Sequence, residues 1–586
     1  MKEIQLVLCD DPNFWPREGP VTAPGRWCLP RKPLPHYEEL LRSGRVSISP
    51  YPWDDPEQFR AAARYTEVLV DRVLRELTPR LNALHGLDRN ERYWRILIGP
   101  WLLYFTEALY DRYRALEPIF QNNSSVKCIG LAEKDFLLLP DFSTTSLDHL
   151  LSDHYNLQIS TLLAEKLGAQ IKRQSRLHTL PKTFSWKNTL RSFEAQVWLV
   201  FLRRAEAIIV GGAMPRAASC EFLKQGLGVV YSERLPPVSV GKAQKDPTLR
   251  GELFRGWSSQ DRFESILASL IEREIPTLYV ENFEEWRKCA KNRPLKARTI
   301  VSGTSWCGDE MFKILAAEAA ANRGAHLCSL QHGGYYGVLA FNCLETHEQK
   351  CTDRFYSWGV SKGLWPRADV RPMPSFKLSA ALKIGQRKKG APASRPIVHV
   401  STIHPRVLLR FQSHPAGPQW ERVYDDEARF VEALDDKVRQ KMIVRVSLNP
   451  DFGWNLSEHW QRLAIPFDSA PTFSHHLRSA GLIIVNHPAT TILEAFAANA
   501  PTLLYWRPGT FLFQPEAEAV FEKLIQAGVL WTTPEAAAHQ LNRIGSDATA
   551  WWSQTIVQEA RKELCEHYAR ADLAWASIWR TELLAF

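Results

Sequence analysis

Short apolar runs alternate with longer segments of helical periodicity along most of the chain. Between Asp55 and Leu116, apolar residues recur at spacings of three and four, which predicts amphipathic helices on the outside of a sheet. The apolar runs 207–210, 397–400 and 482–485 have the length and composition of short buried strands. Strands that alternate with helices are typical of a parallel sheet, so the pattern predicts an α/β fold.

The alternation is interrupted between residues 369 and 396, where the chain becomes basic and contains proline, glycine and serine. Such a composition is typical of a linker. The chain has 586 residues, whereas one hydrophobic core rarely extends beyond about 250–300. We therefore predict an N-terminal α/β domain with helical insertions (1–368), a linker (369–396), a second α/β domain (397–547) and closing helices (548–586).

Composition narrows the class of protein. Hydrophobic residues make up 45% of the chain and charged residues 23%, which excludes a mainly disordered protein. The formal charge of +9 is too small to indicate a nucleic-acid binder, although its sign suits an anionic ligand. The ten cysteines form no C-x-x-C pair, so we expect neither a metal site nor a disulfide framework. No apolar run has the length of a signal peptide or a membrane span, and we expect a cytoplasmic protein.

A Gln-His-Gly-Gly sequence follows a short apolar run at 327–330. Glycines at the carboxyl end of a parallel strand let the backbone approach a ligand, and His332 can donate a proton or a hydrogen bond to an anionic group. The same loop contains Gln331, Gly333 and Gly334, which are candidates for substrate binding. The alternative is a glycine turn in which the histidine has no function.

A second apolar run opens into a predicted helix that begins with two threonines. Thr490 and Thr491, together with the backbone N–H groups of a helix N-terminus, can hold a phosphate. Glu494 lies one turn later and can accept hydrogen bonds from ribose hydroxyls. His487 precedes the threonines, and Arg445 ends a neighbouring apolar run, so both are candidate nucleotide ligands. The alternative is a capping box of Thr491 and Glu494 with no ligand.

Charged residues near these loops are further candidates for catalysis and substrate binding. Asp309 and Glu310 stand at the start of a predicted helix, where a carboxylate could act as a general base or a nucleophile. The helix dipole favours a carboxylate there for purely structural reasons as well. Downstream of the Gln-His-Gly-Gly sequence, Glu348 and Arg354 are candidates for contact with a carboxylate or phosphate of the substrate.

Three short motifs carry a family resemblance: His332-Gly333, Ser357-Trp-Gly359 and His487-Pro-Ala-Thr-Thr-Ile-Leu-Glu494. With them, the sequence resembles a transferase family found in O-antigen loci, and this similarity extends over most of the chain. More distantly, the Gln-His-Gly loop and the Thr-Thr-x-x-Glu helix resemble bacterial GT-B transferases that use CMP-activated sugars such as Kdo or nonulosonic acids.

The resemblance implies a GT-B-like fold with two Rossmann-like domains, a cleft between them and a C-terminal helix that crosses back to the N-terminal domain. It implies that the C-terminal domain holds the nucleotide through Thr490, Thr491 and Glu494, and that His332 lies on the acceptor-domain side. Many CMP-sugar transferases carry a His-Pro pair near the nucleotide phosphate. This chain has two such pairs, at 404–405 and 487–488, and the assignment stays open.

From these observations we predict a glycosyltransferase that moves an acidic sugar from a CMP-linked donor to a surface-polysaccharide or other glycan acceptor, which could be lipid-linked. Helix-end N–H groups and basic residues would stabilise the departing phosphate, so no metal or cofactor is expected. The basic stretch 387–389 allows a peripheral contact with the inner face of the membrane. Two alternatives are a CDP-polyol phosphotransferase of similar fold and a non-catalytic glycan-binding protein.

Overall fold

The described part of the molecule contains three parallel β-sheets flanked by helices. A computed structural model describes residues 3–585 except 30–41, 122–124, 142–146, 177–204, 213, 215–220, 222–227, 233–234, 236–239, 242, 293–294, 387–394, 447–451, 469, 471 and 546–547. The α/β class predicted from the sequence is therefore confirmed.

The first sheet has the strand order β3-β2-β1-β4-β5, which is the order of a Rossmann fold. Its strands are β1 (Ile4–Leu6), β2 (Val21–Ala23), β3 (Val46–Ile48), β4 (Val126–Leu131) and β5 (Gln170–Gln174). Its helices are α1 (Pro56–His85), α2 (Glu91–Gln121), α3 (Leu147–Leu151) and α4 (Asp153–Leu167). The predicted N-terminal domain thus contains a separate sheet of its own before residue 175.

The second sheet has the order β11-β10-β9-β8-β6-β7. Its strands are β6 (Ala207–Val210), β7 (Val229–Ser232), β8 (Thr299–Ser302), β9 (His326–Leu330), β10 (Arg354–Ser357) and β11 (Val370–Pro372). The helices here are α5 (Pro247–Gly251), α6 (Arg262–Glu274), α7 (Phe283–Lys291), α8 (Ser305–Gly308), α9 (Glu310–Arg323), α10 (Cys343–Cys351) and α11 (Phe376–Gln386).

Helix α2 lies between the first two sheets, not on the outside of one sheet as its periodicity predicts. Every residue from Tyr93 to Tyr113 is buried, including the charged residues Arg95, Glu107, Asp111 and Arg112. One hydrophobic core surrounds it and includes Leu6 of β1, Ile208 of β6 and Leu327 of β9. Because this core is continuous, the first two sheets form one unit.

The third sheet has the order β13-β12-β14-β15-β16. Its strands are β12 (Ile397–Val400), β13 (Met442–Arg445), β14 (Leu482–Val485), β15 (Thr502–Tyr505) and β16 (Leu530–Trp531). The remaining helices are α12 (Trp420–Glu432), α13 (Asp436–Arg439), α14 (Leu456–Arg462), α15 (Phe473–Ser479), α16 (Thr490–Ala497), α17 (Pro515–Gln526), α18 (Pro534–Ile544), α19 (Ala548–Trp552), α20 (Thr555–Tyr568) and α21 (Trp575–Leu584).

The segment predicted as a linker, 369–396, contains regular structure. Strand β11 extends the second sheet, with Val370 paired to Phe355 of β10. Helix α11 packs against α15 and α16 of the third sheet. The chain therefore passes between the sheets through a strand and a packed helix. The basic stretch 387–389 lies outside the described residues.

The C-terminal helix crosses back to the second sheet, as the GT-B resemblance implies. Trp575, Trp579 and Leu583 of α21 share a hydrophobic core with Ile209 of β6. The Trp579 indole also donates a hydrogen bond to the carbonyl oxygen of Pro374 at 2.8 Å. Two Rossmann-like sheets with facing loops and a returning C-terminal helix give the chain a GT-B-like architecture, to which the first sheet is added.

Candidate active site

The strand orders of the second and third sheets locate a ligand site in each. Strand β6 lies between β7 and β8, and β12 lies between β13 and β14, so that chain connections leave in opposite directions from β6 and from β12. Ligands of open α/β sheets bind outside the carboxyl ends of the strands at this point. The candidate site is therefore expected near the loops that follow β6 and β8 in the second sheet and β12 and β14 in the third, and the loop after β9 is the next one along.

The two loops singled out by the sequence touch each other. The backbone N–H of Gly334, after β9, donates to Oγ1 of Thr490, in the first turn of α16, at 2.9 Å. A Cβ atom added to Gly334 would lie 2.4 Å from both the carbonyl carbon of Ala489 and the backbone nitrogen of Thr490. Only glycine permits this approach. The structure thus joins the two predicted motifs into one cleft.

His332 belongs to a hydrogen-bonded network at the floor of this cleft. Its Nε2 lies 3.0 Å from Oε1 of Glu348 and 2.6 Å from the Tyr336 hydroxyl. Glu348 is buried and also accepts hydrogen bonds from Tyr336 at 2.9 Å and from Ser329 at 2.8 Å.

The network orients the imidazole of His332. A carboxylate that binds one ring nitrogen selects the tautomer and presents the other nitrogen as a proton acceptor. When Nε2 carries its proton towards Glu348, Nδ1 is the acceptor, and within the described residues Nδ1 has no hydrogen-bond partner. The side chain of His332 is 20% exposed, so it can be reached from the cleft. Glu348, predicted to bind substrate, is buried and contacts His332.

Helix α10 holds both ends of the loop 331–337. Glu348 holds His332, and one turn earlier Glu345 accepts a hydrogen bond from the backbone N–H of Gly337 at 2.9 Å. Burial, and the nearby Glu348 carboxylate to a smaller extent, raise the pKa of Glu345 to about 8. Two buried polar side chains of α10 therefore fix the position of the loop 331–337.

Gln331 stabilises the loop through its side chain. Its Oε1 accepts a hydrogen bond from the backbone N–H of Trp358 at 2.7 Å, and its Nε2 donates to the carbonyl oxygen of Gly333 at 2.9 Å. The neighbouring Gly359 has a φ of +157°, and a Cβ there would lie 2.2 Å from the carbonyl oxygen of His567 in α20. The Ser-Trp-Gly motif therefore packs the second sheet against a C-terminal helix.

The predicted nucleotide ligands surround the N-terminus of α16. Thr490 and Thr491 occupy its first turn, and no capping box forms, because the residue before the helix is Ala489. Glu494 is buried and pairs with Nζ of Lys377 on α11 at 2.8 Å. Burial raises the pKa of Glu494, and the Lys377 ammonium opposes that shift.

The basic candidates of the third sheet are held by neighbours. Arg445 pairs with Asp468 at 2.6 Å. His487 is buried beside Asn486, and burial lowers its pKa to about 4. His404 stacks on the Trp420 ring at 4.0 Å, and burial lowers its pKa as well. Both His-Pro histidines are therefore neutral at pH 7.

Asp309 and Glu310 have different surroundings. Asp309 caps α9 by accepting a hydrogen bond from the backbone N–H of Phe312 at 2.9 Å, and burial raises its pKa to about 6. Glu310 is buried, and its Oε2 lies 2.9 Å from Nζ of Lys313 and 3.0 Å from the Tyr279 hydroxyl. Glu310 belongs to a buried ion pair beside α2, and the structure does not bring it to the His332 network.

Arg354 lies away from the candidate site. It begins β10, whereas the site lies at the carboxyl ends of the strands. Its guanidinium bonds to Asp369 at 2.8 Å and to Glu582 of α21 at 2.9 Å. The predicted contact with a substrate is therefore corrected to a structural role, the attachment of the C-terminal helix.

The sequence reasoning missed Tyr336, which bonds to His332, and also Glu107 and Arg410, which lie where the loop after β12 contacts α2. Glu107 is buried on α2, and burial raises its pKa to about 8. Arg410 lies in the loop 401–419 that follows β12. Glu107 interrupts the apolar run 102–109, and Arg410 interrupts the apolar run 407–411. A charged residue inside an apolar run is unusual, and this was the sequence signal that could have identified both.

Two features of the described residues bear on cofactors and membranes. Within them, no group of three or more His, Cys, Asp and Glu side chains is arranged to hold a metal ion. None of the described helices has the length and apolar character needed to cross a membrane.

Comparisons with known proteins were made for the sequence and the fold. The sequence model described as "LIC12162 family transferase" matches residues 4–583. No curated protein matches the chain. Among solved structures, the chain is similar to a UDP co-structure of MnaA from S. aureus, with 13% identity and a TM-score of 0.34 over 65% of this chain and 98% of that one. MurG from Acinetobacter baumannii has 11% identity and a TM-score of 0.34 over 65% of this chain and 99% of that one. A mutant O-GlcNAc transferase from Thermobaculum terrenum has 11% identity and a TM-score of 0.31 over 89% of this chain and 99% of that one.

Proposed function

The chain belongs to the LIC12162 family of transferases, and on this premise we propose that it is a glycosyltransferase that uses a nucleotide-activated sugar. The observation that carries the proposal is the contact between Gly334 and Thr490. It places an oriented histidine of one sheet beside the helix N-terminus of another. A helix N-terminus is a natural binding site for phosphate, and an oriented histidine is the commonest general base.

In the proposed reaction the two sides of the cleft have separate roles. The donor phosphate binds at the N-terminus of α16, near Thr490 and Thr491, and Glu494 faces the ribose. An acceptor hydroxyl attacks the anomeric carbon, and the bond from that carbon to the phosphate oxygen breaks with its electron pair on the phosphate. The hydroxyl proton passes to Nδ1 of His332, and the Glu348 carboxylate stabilises the imidazolium that forms.

For the donor we propose a CMP-linked acidic sugar, and for the acceptor a glycan or a lipid-linked glycan precursor. The support for this choice is the resemblance of the Gln-His-Gly loop and the Thr-Thr-x-x-Glu helix to transferases that use CMP-activated sugars. Helix-end N–H groups supply charge stabilisation for a leaving phosphate, so we expect activity to persist in EDTA.

Nucleotide binding is the first test. Thermal unfolding would be followed with CMP, CDP, UMP, UDP, GDP and ADP, with and without Mg²⁺, because a ligand of the native state raises its apparent stability. We expect stabilisation by CMP without metal. Selective binding of UDP or GDP would refute the CMP donor but keep a nucleotide-sugar transferase. Turnover of a CDP-polyol would indicate the phosphotransferase, and the absence of any nucleotide effect would refute the proposed function.

The proposed base is tested by His332→Ala and Glu348→Gln. Loss of a general base lowers turnover by roughly 10²–10⁴-fold, so His332→Ala should lose activity while CMP still binds. Glu348→Gln should lower kcat and shift the pH–rate profile, because the negative charge beside Nε2 is removed. His539→Ala is the matched control, since His539 is exposed on α18. Full activity of His332→Ala would refute the assignment.

A further inference from the structure

Arg410 lies in the loop that follows the first strand of the third sheet. Its guanidinium hydrogen-bonds to the Tyr104 hydroxyl of α2 and lies over that ring, 5.2 Å from the centroid. The next residue, Phe411, donates its backbone N–H to the Glu107 carboxylate on the same helix. The loop is therefore docked on α2, and the arginine side chain lies on the Tyr104 ring.

The Arg410 charge has no carboxylate partner within 4.0 Å among the described residues. Its Nε atom is buried and makes no hydrogen bond there. Two fully buried arginines are paired: Arg250 with Glu281 at 2.6 Å and Arg112 with Asp111 at 3.1 Å. Arg410 is half-buried. A cation that is partly removed from water without a counter-charge is unfavourable, and an anionic ligand would supply that charge.

The neighbouring groups leave Arg410 as a local positive charge. Burial and, to a smaller extent, the Arg410 guanidinium lower the pKa of His414 to about 4, and they lower the pKa of His404 as well, so both rings are neutral at pH 7. The nearest carboxyl groups include Glu107, whose pKa burial raises to about 8, although the Arg410 charge opposes that shift. Protonated Glu107 does not compensate the guanidinium.

The loop of Arg410 also contacts the loop of the proposed base. The ring centroids of His414 and Tyr335 lie 5.5 Å apart, and the hydroxyl of the next residue, Tyr336, lies 2.6 Å from Nε2 of His332. The loop of Arg410 follows β12, at the point where the topology of the third sheet locates a ligand. A group bound by Arg410 would therefore lie between the nucleotide side and the base side of the cleft.

We propose that Arg410 recognises an oxyanion of the substrate, through the planar fork with which guanidinium groups bind phosphate and carboxylate. This inference rests on the proposed function and deepens it, because it predicts that the transferred unit or its leaving group carries the anion at this position. The oxyanion has two sources: the donor phosphate, or the carboxylate of an acidic sugar.

The test compares Arg410→Gln and Arg410→Lys with the wild-type protein. Calorimetric titration would use CMP, cytidine, inorganic pyrophosphate and free N-acetylneuraminate as probes. If the donor phosphate is the ligand, we expect Arg410→Gln to lower the affinity for CMP and pyrophosphate at least ten-fold and to leave the affinity for cytidine unchanged. If the carboxylate is the ligand, the affinity for N-acetylneuraminate falls instead. Arg410→Lys should give an intermediate loss, because it keeps the charge without the fork.

The matched control is Arg422→Gln, because Arg422 is an exposed arginine of the same sheet region, with its side chain 72% exposed. Thermal unfolding of the ligand-free variants separates a binding role from a structural one: removal of an uncompensated charge should leave the melting temperature equal or higher. The proposal is overturned if Arg410→Gln binds all probes as the wild type does, if the wild type binds none of the anions, or if both variants lose stability while binding normally. Failure of the proposed function is a separate outcome, in which no nucleotide binds the wild type. If pyrophosphate still distinguishes the variants in that case, the anion site of Arg410 stands on its own.

Discussion

The contact between Gly334 and Thr490 gives the sharpest mutational prediction. In Gly334→Ala the new methyl carbon would lie 2.4 Å from two backbone atoms, the carbonyl carbon of Ala489 and the nitrogen of Thr490. Carbon atoms in contact are normally about 3.5–4.0 Å apart. Backbone atoms cannot rotate out of the way as a flexible side chain can. The loop 331–337 and helix α16 must therefore separate by about 1 Å, on the order of the difference between these distances.

Two effects add to the cost of this substitution. Overpacking at a close contact costs about 1–3 kcal/mol. Separation also breaks the 2.9 Å hydrogen bond from Gly334 to Thr490, which is worth about 1 kcal/mol. Thr490→Val removes only the hydrogen bond, so it should cost about 1 kcal/mol. In Gly334→Ala/Thr490→Val the hydrogen bond is lost once, and the double variant should be less destabilised than the sum of the single variants.

The assay is urea unfolding with a probe of the contact between sheets, together with turnover per folded molecule. The control is Gly251→Ala, since a Cβ at Gly251 meets no atom within 4 Å. This control should keep its activity and a stability within about 1 kcal/mol of the wild type, with any change in the stabilising direction because the residue is helical. We expect Gly334→Ala to lose both stability and activity. If it unfolds and turns over like Gly251→Ala, the close contact does not exist in solution.

Three further predictions concern charge and packing. Burial raises the pKa of Glu107 to about 8, against about 4.3 when unfolded, so the folded protein retains a proton that the unfolded chain loses. The free energy of unfolding should therefore fall as pH rises between these two pKa values. In urea titrations at a series of pH values, Glu107→Gln should show a smaller fall than the wild type, and an equal slope against pH would contradict this. Lys313→Met leaves Glu310 buried without its partner and should cost about 3–5 kcal/mol in urea unfolding, whereas an unchanged midpoint would argue against the buried pair. Trp579→Ala should cost about 3–5 kcal/mol locally and expose α21 to limited proteolysis, and a protected helix would refute its docking role.

Buried strands of the third sheet were predictable almost to the residue. The apolar runs 397–400 and 482–485 coincide with β12 and β14. A strand in the middle of a parallel sheet is covered on both faces, so it appears as a continuous apolar run in the sequence. Strands β1, β2 and β3 have only three residues each, which is too short for a periodic signal. The separate first sheet was missed for this reason.

The position of a side chain around a helix was harder to predict. Glu310 was expected to be available for catalysis, but it faces α2 and pairs with Lys313 three residues later. The spacing of this pair was visible in the sequence, and it is typical of neighbours on one helix face. What the sequence did not contain was the partner surface, since the location of α2 between two sheets depends on packing across the whole domain.

The meeting of Gly334 with Thr490 could not be derived from local patterns, because the two residues are 156 positions apart. Each motif alone had an alternative without function, a glycine turn or a capping box. The structure removes the capping box, since the helix begins after Ala489 and Thr491 lies inside it. The structure also explains the second glycine of the turn, Gly334, because the backbone of the third sheet approaches too closely there for a larger residue.

The restraints that hold the cleft together differ in strength, and this difference bears on how a substrate enters. The direct contact between the loops contributes one hydrogen bond of about 1 kcal/mol. Helix α21 returns to the second sheet with two buried tryptophans, each of which would cost about 3–5 kcal/mol to truncate. Further hydrogen bonds join the same region to the third sheet a few residues later, from the N–H of Gln514 to the Val338 carbonyl oxygen and from the N–H of Ala340 to the Leu512 carbonyl oxygen, both at 2.9 Å. The contact of Gly334 with Thr490 can open locally while these bonds and α21 stay in place, so the residues around Gly334 and the first turn of α16 are those that an entering donor would displace.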